Sequence, residues 1–225
     1  MTETEGKLKA VRIRTDLFGE TGLLMHNIRL ANPDDPFAKA ISRISGKRKK
    51  TEEDRREMAK IEFLGSLYTY APASVDGSDT DTPEYNDETR RVVMPQTNVK
   101  RAFKEAAKAT RQGRTIDRAL NFADPAIGER GLEFQFADSD LPPLKLWELG
   151  KKYQDITMVT VSGRVPRCRP RFLPWALSAE WLVFPTLLDL DTFKDIVEMC
   201  GLIEGLGDNR VNGAGRFKTK VTVLG

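Results

Sequence analysis

The chain has 225 residues, 40% of them hydrophobic and 31% charged, with a net charge of +3 at neutral pH. That composition suits one elaborated globular domain and excludes a disordered or fibrous chain; the small charge excess does not by itself demand an acidic partner. Two cysteines and one histidine provide neither a disulfide framework nor zinc-ligand spacing, so no metal and no cofactor are expected. No apolar run reaches the roughly 18 residues of a membrane helix. The charged start MTETEGKLKAVRIR has no signal-peptide core, so a cytoplasmic, reduced protein without a membrane partner is expected.

Residues 8–17, LKAVRIRTDL, alternate apolar and charged with one slip and predict a first strand. Gly19 to Gly22 break it, and Leu23 to Ile28 continue the strand or turn inward. Residues 31–90 read as an insertion outside the core. Within it ANPDDP (31–36) predicts a loop, FAKAISRI (37–44) a short helix and GKRKK (46–50) a basic turn. Thr51 to Leu67 predict a helix opened by a Thr51/Asp54 capping box, with Met58, Ile61, Phe63, Leu64 and Leu67 as its apolar stripe. VDGSDTDTPEYNDE (75–88) is acidic and reads as a mobile loop.

TNVKRAFKEAAKATRQ (97–112) is the clearest helix, with Thr97 or Asn98 as cap and Gly113 as stop. Val99, Ala102, Phe103, Ala106 and Ala107 form its apolar face; Lys100, Arg101, Lys104, Lys108 and Arg111 dominate the rest. LEFQF (132–136) alternates as a strand and DLPPL (140–144) breaks it. MVTVSGRVPRCRPRF (158–172) begins β-branched, then places Arg167, Arg169 and Arg171 on one side of a strand. Its prolines predict an edge strand or an extended arm. PWALSAEWLVF (174–184) predicts a buried strand with Trp175 and Trp181 in the core, and DTFKDIVEMCGLI (191–203) a helix capped by Asp191. GLGDNRVNGAGRF (205–217) is a glycine-rich loop, and RFKTKVTVL (216–224) the last strand.

The order strand, insertion, helix, strands, helix, strand implies an α+β fold. It fits a ferredoxin-like, RNA-recognition-type core in a single domain, with a helical insertion and an extended arm. Three stretches also resemble segments of the RAMP superfamily. GLLMHN (22–27) is similar to the family's turn after its first strand, which often carries a histidine, here His26. VVMPQTNVKRAFKEAAK (92–108) resembles the segment in which a strand ends in isoleucine-proline, a polar turn follows and a helix opens with leucine-lysine-glycine. The counterparts are Met94-Pro95, Gln96-Thr97-Asn98 and Val99-Lys100-Arg101, with Arg101 where the family has glycine. GLGDNRVNGAGRF is similar to the family's glycine-rich loop before its final strand. RAMP proteins are RNA-binding subunits of CRISPR effector complexes, and some process guide RNA. The resemblance therefore implies RNA and other effector subunits as partners. MHNIRLANPDDPFAKA (25–40) resembles uncharacterised proteins encoded by phages and prophages, which leaves a stand-alone phage member as the other form of the same expectation.

A single strand is held by a cationic track and by N–H donors. Lys100, Arg101, Lys104 and Lys108 offer one row, on a helix whose N-terminus can hold a phosphate. Arg167, Arg169 and Arg171 offer a second row. Asn209, Arg210, Asn212 and Arg216 are donors in the loop, where Gly205, Gly207, Gly213 and Gly215 would let the backbone approach a nucleic-acid strand, or the first helix that holds it. The expected function is non-catalytic binding of single-stranded RNA (or DNA) by repeated copies of the chain. In that arrangement the basic turn 46–50 of one copy meets the acidic segment 75–88 of the next in a head-to-tail filament. Two other readings stand beside it. One is an endoribonuclease using His26 as general acid or base, or Asp34 and Asp35 as magnesium ligands. The other is a phage protein-interaction module acting on a host complex.

Overall fold

Alternation sets the first strand. In the computed structural model, which describes residues 9–70, 89–160 and 164–224, β1 (Val11–Gly19) buries Ile13, Thr15 and Leu17 and turns Arg12, Arg14 and Asp16 to the other face. The chain continues through β2 (Leu23–Leu24), α1 (Pro36–Ser45), α2 (Glu52–Ser66), β3 (Thr69–Tyr70), β4 (Arg91–Met94) and α3 (Gln96–Ala107). Then come α4 (Gly113–Ala119), β5 (Leu120–Phe122), α5 (Ile127–Arg130), β6 (Leu132–Gln135) and α6 (Pro143–Glu148). Last are β7 (Gln154–Thr160), β8 (Arg164–Phe172), β9 (Ala176–Val183), α7 (Leu190–Met199) and β10 (Phe217–Val223). The fold is α+β with antiparallel sheets. One sheet runs β10-β1-β9-β6-β4-β3, with β5 also on β9; the other runs β2-β8-β7. No helix among the described residues is long and apolar enough to cross a membrane.

The core lies between the large sheet and α3 and α7. Ile13 pairs with Trp181 and Thr15 with Ala179 across β1 and β9. Phe103 of α3 packs on Trp181 at 5.7 Å and on Phe193 of α7 at 6.0 Å between ring centres. The Trp181 indole N–H donates to the Thr15 hydroxyl at 2.9 Å, so both polar groups are satisfied inside the core. Trp175 and Trp181 are buried, as their spacing in the sequence indicates.

The Thr51/Asp54 capping box forms: the Thr51 hydroxyl accepts from Asp54 N at 3.1 Å and the Asp54 carboxylate from Thr51 N at 3.0 Å. The helix it opens does not stand apart. Ile61 to Ser66 are buried, and Phe37, Phe63, Leu64 and Leu67 join the same apolar cluster as β1 and β9. This corrects the expectation that 31–90 lies outside the core. The charged first half of α2 hides its burying second half in the composition. The acidic stretch 75–88 lies outside the described residues.

Helix boundaries differ from expectation. The α3 cap is Pro95, not Thr97 or Asn98, because the proline turns the chain from β4 directly into the helix. Gly113 does not stop α3, which ends at Ala107 and runs on as a 3-10 turn (Lys108–Thr110) closed by Arg111 in a left-handed conformation at φ 61°; Gly113 opens α4. The α7 cap is Asp189, not Asp191, and its carboxylate accepts from Asp191 N and Thr192 N at 3.0 Å each.

β8 pairs with β7 over residues 164–170 and with β2 only at Arg171 and Phe172, so along most of its length its other side is a sheet edge, as its prolines predict. Arg171 N donates to Tyr153 O at 2.8 Å, so the odd-numbered residues of β8 face β7. Pro166 and Pro170 are out of phase and turn their nitrogens away from that ladder, where no donor is needed. On the same side the Cys168 N–H donates to the Glu62 carboxylate of α2 at 3.0 Å.

Truncating Phe63 to alanine is expected to cost about 3–5 kcal/mol, as for a fully buried phenylalanine, in one cooperative urea transition. A loss below about 1 kcal/mol, typical of surface sites, would put α2 outside the cooperative core.

Candidate nucleic-acid interface

Segments far apart in sequence meet at one cleft of about 250 Å³. Met25 and His26 come from the turn after β2, and Met94, Asn98, Arg101 and Ala102 from β4 and the start of α3. Leu206, Gly207, Asp208 and Arg210 come from the glycine loop, and Tyr68 from the end of α2. The His26 turn is pinned on both sides. Met25 N donates to Pro170 O at 3.1 Å, Asn27 N to Ser66 O at 3.1 Å, and the Asn27 side-chain amide to Leu67 O at 3.2 Å. The Tyr68 hydroxyl donates to His26 O at 3.2 Å.

The glycine loop is built against the chain itself. After α7 a π-helical turn (Cys200–Glu204) closes with Gly205 N donating to Cys200 O at 2.7 Å. Asp208 N donates to Leu24 O at 2.8 Å and Gly215 N to Gly22 O at 2.9 Å. A Cβ on Gly207 would stand 2.4 Å from Leu24 O, and one on Gly215 only 1.8 Å from Leu206 O, both at positive φ. Gly205 likewise faces Ala214 O, at 2.7 Å from a built Cβ. These glycines admit the protein's own backbone, not a nucleic-acid strand, which corrects the reason expected for Gly205, Gly207 and Gly215. Only Gly213 of the four faces open space.

The helix row is largely neutralised. Lys100 Nζ donates to the carbonyls of Asp117 and Leu120, Lys104 pairs with Asp117 at 2.6 Å, and Lys108 pairs with Glu105 at 2.5 Å. Arg101 instead lines the cleft and makes no ion pair among the described residues. In the β8 row, Arg167 lies 3.6 Å from Glu62 and Arg169 lies 2.9 Å from Asp208. Arg171 is exposed, with its guanidinium over Gly22 and no ion pair among the described residues. In the loop Arg210 pairs with Glu204, Arg216 donates to Arg210 O at 3.1 Å, and Asn212 donates to the Asn209 side chain at 2.6 Å.

Burial is the main force lowering the His26 pKa below 6.5; Arg167 and Arg169 act in the same direction and Asp208 opposes. The imidazole is therefore neutral at neutral pH. Burial also raises the Glu62 carboxyl above 4.5, against the Cys168 N–H and the two arginines. The Cys168 thiol is pushed up to about 12, chiefly by burial, and Cys200 is raised for the same reason, so neither is poised as a nucleophile. Among the described residues no three acidic, histidine or cysteine side chains gather as a metal site. Asp35 caps α1, accepting from Phe37 N at 2.8 Å, and pairs with Arg29 at 2.9 Å, whereas Asp34 points toward Lys39 at 3.7 Å. The two aspartates are thus turn and cap residues, not a joint ligand set. The sequence reading missed Asp208, Glu62 and Tyr68. Glu62 carried a signal: it is the lone charge in IEFLGSLY (61–68), and a charge inside an apolar run needs a buried partner.

Gly215→Ala is expected to destabilise more than Gly213→Ala in urea titrations. Both incur the strain of about 1–3 kcal/mol of a left-handed non-glycine residue, and only the first also forces a methyl onto a carbonyl. For His26 the folded pKa lies below the unfolded one, so the unfolded chain takes up the proton first and stability falls as pH drops below 6.5. Between about pH 7 and pH 5 the wild type should lose more stability than His26→Gln; equal losses would contradict the buried, neutral imidazole. Comparison of the chain with protein-family models and with curated proteins finds no match in either.

Proposed function

We propose that this protein binds single-stranded nucleic acid, RNA in preference to DNA, without cutting it, and that the phosphates run along the cleft beside α3 and β8. The observation that carries this reading is the meeting of residues 25–26, 94–102 and 206–210 around one cleft flanked by arginines. Arg101, which lines the cleft, is its principal phosphate contact, and Arg171, exposed but outside the lining, is a second contact on the proposed path; no carboxylate among the described residues pairs with either. Arg210, Arg167 and Arg169 add positive charge that their partners partly offset. The first turn of α3, whose Asn98 lines the cleft, has no side-chain cap, so its N–H groups lack a side-chain acceptor. Lys100, Lys104 and Lys108 drop out, because the protein already uses them.

The same proposal takes the large sheet as a ferredoxin-like core of RAMP type. The strand order β10-β1-β9-β6, with α3 after β1 and α7 between β9 and β10, supports it. On this reading α1 and α2 form the helical insertion and the β7–β8 hairpin the arm. The head-to-tail filament gains no support, since the acidic partner of the basic turn lies outside the described residues. One observation favours a second reading, a histidine-dependent endoribonuclease: His26 lines the same cleft as Arg101 and is neutral, hence able to take a proton.

Fluorescence anisotropy with labelled single-stranded RNA over a salt series tests both readings. Binding should weaken with salt, and Arg101→Ala and Arg171→Ala should each reduce the log–log slope by about 0.7. Lys108→Ala should leave it unchanged. The absence of salt-dependent binding would sink the proposal. RNA fragments that vanish with His26→Ala would replace it with the nuclease.

A further inference from the structure

The small sheet β2-β8-β7 ends on β7. Its register on β8 turns the peptide groups of Asp155, Thr157 and Val159 toward β8. Those of Gln154, Ile156, Met158 and Thr160 therefore point away from the sheet, and no strand pairs with them among the described residues. The hairpin treats its two edges differently. On β8, prolines remove two donors and Glu62 occupies the Cys168 N–H. On β7 there is no proline or basic residue, and its one charge, Asp155, lies on a position turned toward β8 and not on the open edge. Ile156 and Met158, both on outward-pointing positions, are 61% and 58% exposed.

We propose that β7 pairs with β7 of a second copy of this chain, antiparallel about a twofold axis through Thr157, so that two small sheets become one. The strand is self-complementary in that register. Centring on Thr157 pairs the whole of Gln154–Thr160, whereas any other centre leaves ends unpaired. It sets Ile156 opposite Met158 and Gln154 opposite Thr160, all on positions with free N–H and C=O groups. Each copy then covers the exposed apolar side chains of the other. None of the outward positions is charged, so nothing on this edge selects an oppositely charged foreign strand. Thr157 stands opposite its own copy at a non-hydrogen-bonded position, where facing residues come closest. A twofold contact of this kind closes at two copies and does not extend. It does not depend on what the cleft binds.

Light scattering on the full chain over a concentration series tests the pairing. The wild type should show twice the mass of one chain, and Met158→Pro should show one. That substitution removes an outward N–H and leaves the β8 ladder intact, as Pro166 does opposite it. An unchanged circular dichroism spectrum checks that the variant folds. Independently, Thr157→Cys should form a disulfide-linked dimer under oxidised glutathione, because facing non-hydrogen-bonded residues lie within disulfide reach. Val159→Cys, off the axis, should not; the native cysteines are buried. A single-chain mass at every concentration would overturn the proposal. So would a dimer that survives Met158→Pro and fails to cross-link through Thr157→Cys, which would place the contact elsewhere.

Discussion

Backbone against backbone, at the glycines of the last loop, is the contact on which the rest of the molecule is assembled. Asp208 and Gly215 donate to Leu24 and Gly22, joining the loop before β10 of the large sheet to the turn and strand that begin the small one. Gly201 makes a similar approach, with a built Cβ only 2.1 Å from Phe217 O. Side chains at these points would hold the elements apart by the width of a methyl group or more. The cost of ordering so much glycine is offset because the approaches at Gly207 and Gly215 bring peptide hydrogen bonds and continue the apolar packing around Leu23, Leu206 and Phe217.

A chain of charges crosses the seam formed in this way. Glu62 reaches from α2 to the Cys168 N–H and toward Arg167, Arg169 reaches from the same face of β8 to Asp208 in the loop, and His26 lies among them. Buried charge is expensive unless paired, so each member constrains where its neighbours can sit. The arrangement also sorts the arginines. Those inside the network hold the structure, whereas Arg101 and Arg171 make no ion pair among the described residues.

The two sheets thereby acquire different characters. The large sheet buries one face under α3 and α7 and carries Arg12–Glu180 and Asp16–Ser178 contacts on the other, so its polar face is already internally matched. The small sheet is held along one edge by α2 and the loop and is open along β7. Nucleic-acid binding on one side of β8 and self-pairing on the far side of β7 would use separate parts of this second sheet.

The sequence by itself determined much of the secondary structure. Period-two alternation marked β1, β6 and β10, the apolar spacing of Val99, Ala102, Phe103, Ala106 and Ala107 marked α3, and Thr51 with Asp54 marked the start of α2. These are local signals, decided by neighbours within a turn or a pleat. Only the tertiary structure decided which cations are spent. Lys100 and Lys104 are taken by α4, and Arg169 by a loop residue nearly forty positions away. Likewise, the glycines' purpose depended on which backbone arrives beside them. A basic residue or a glycine looks the same in the sequence whether its partner is solvent, a ligand or a distant segment of its own chain, because that partner is set by packing at long range.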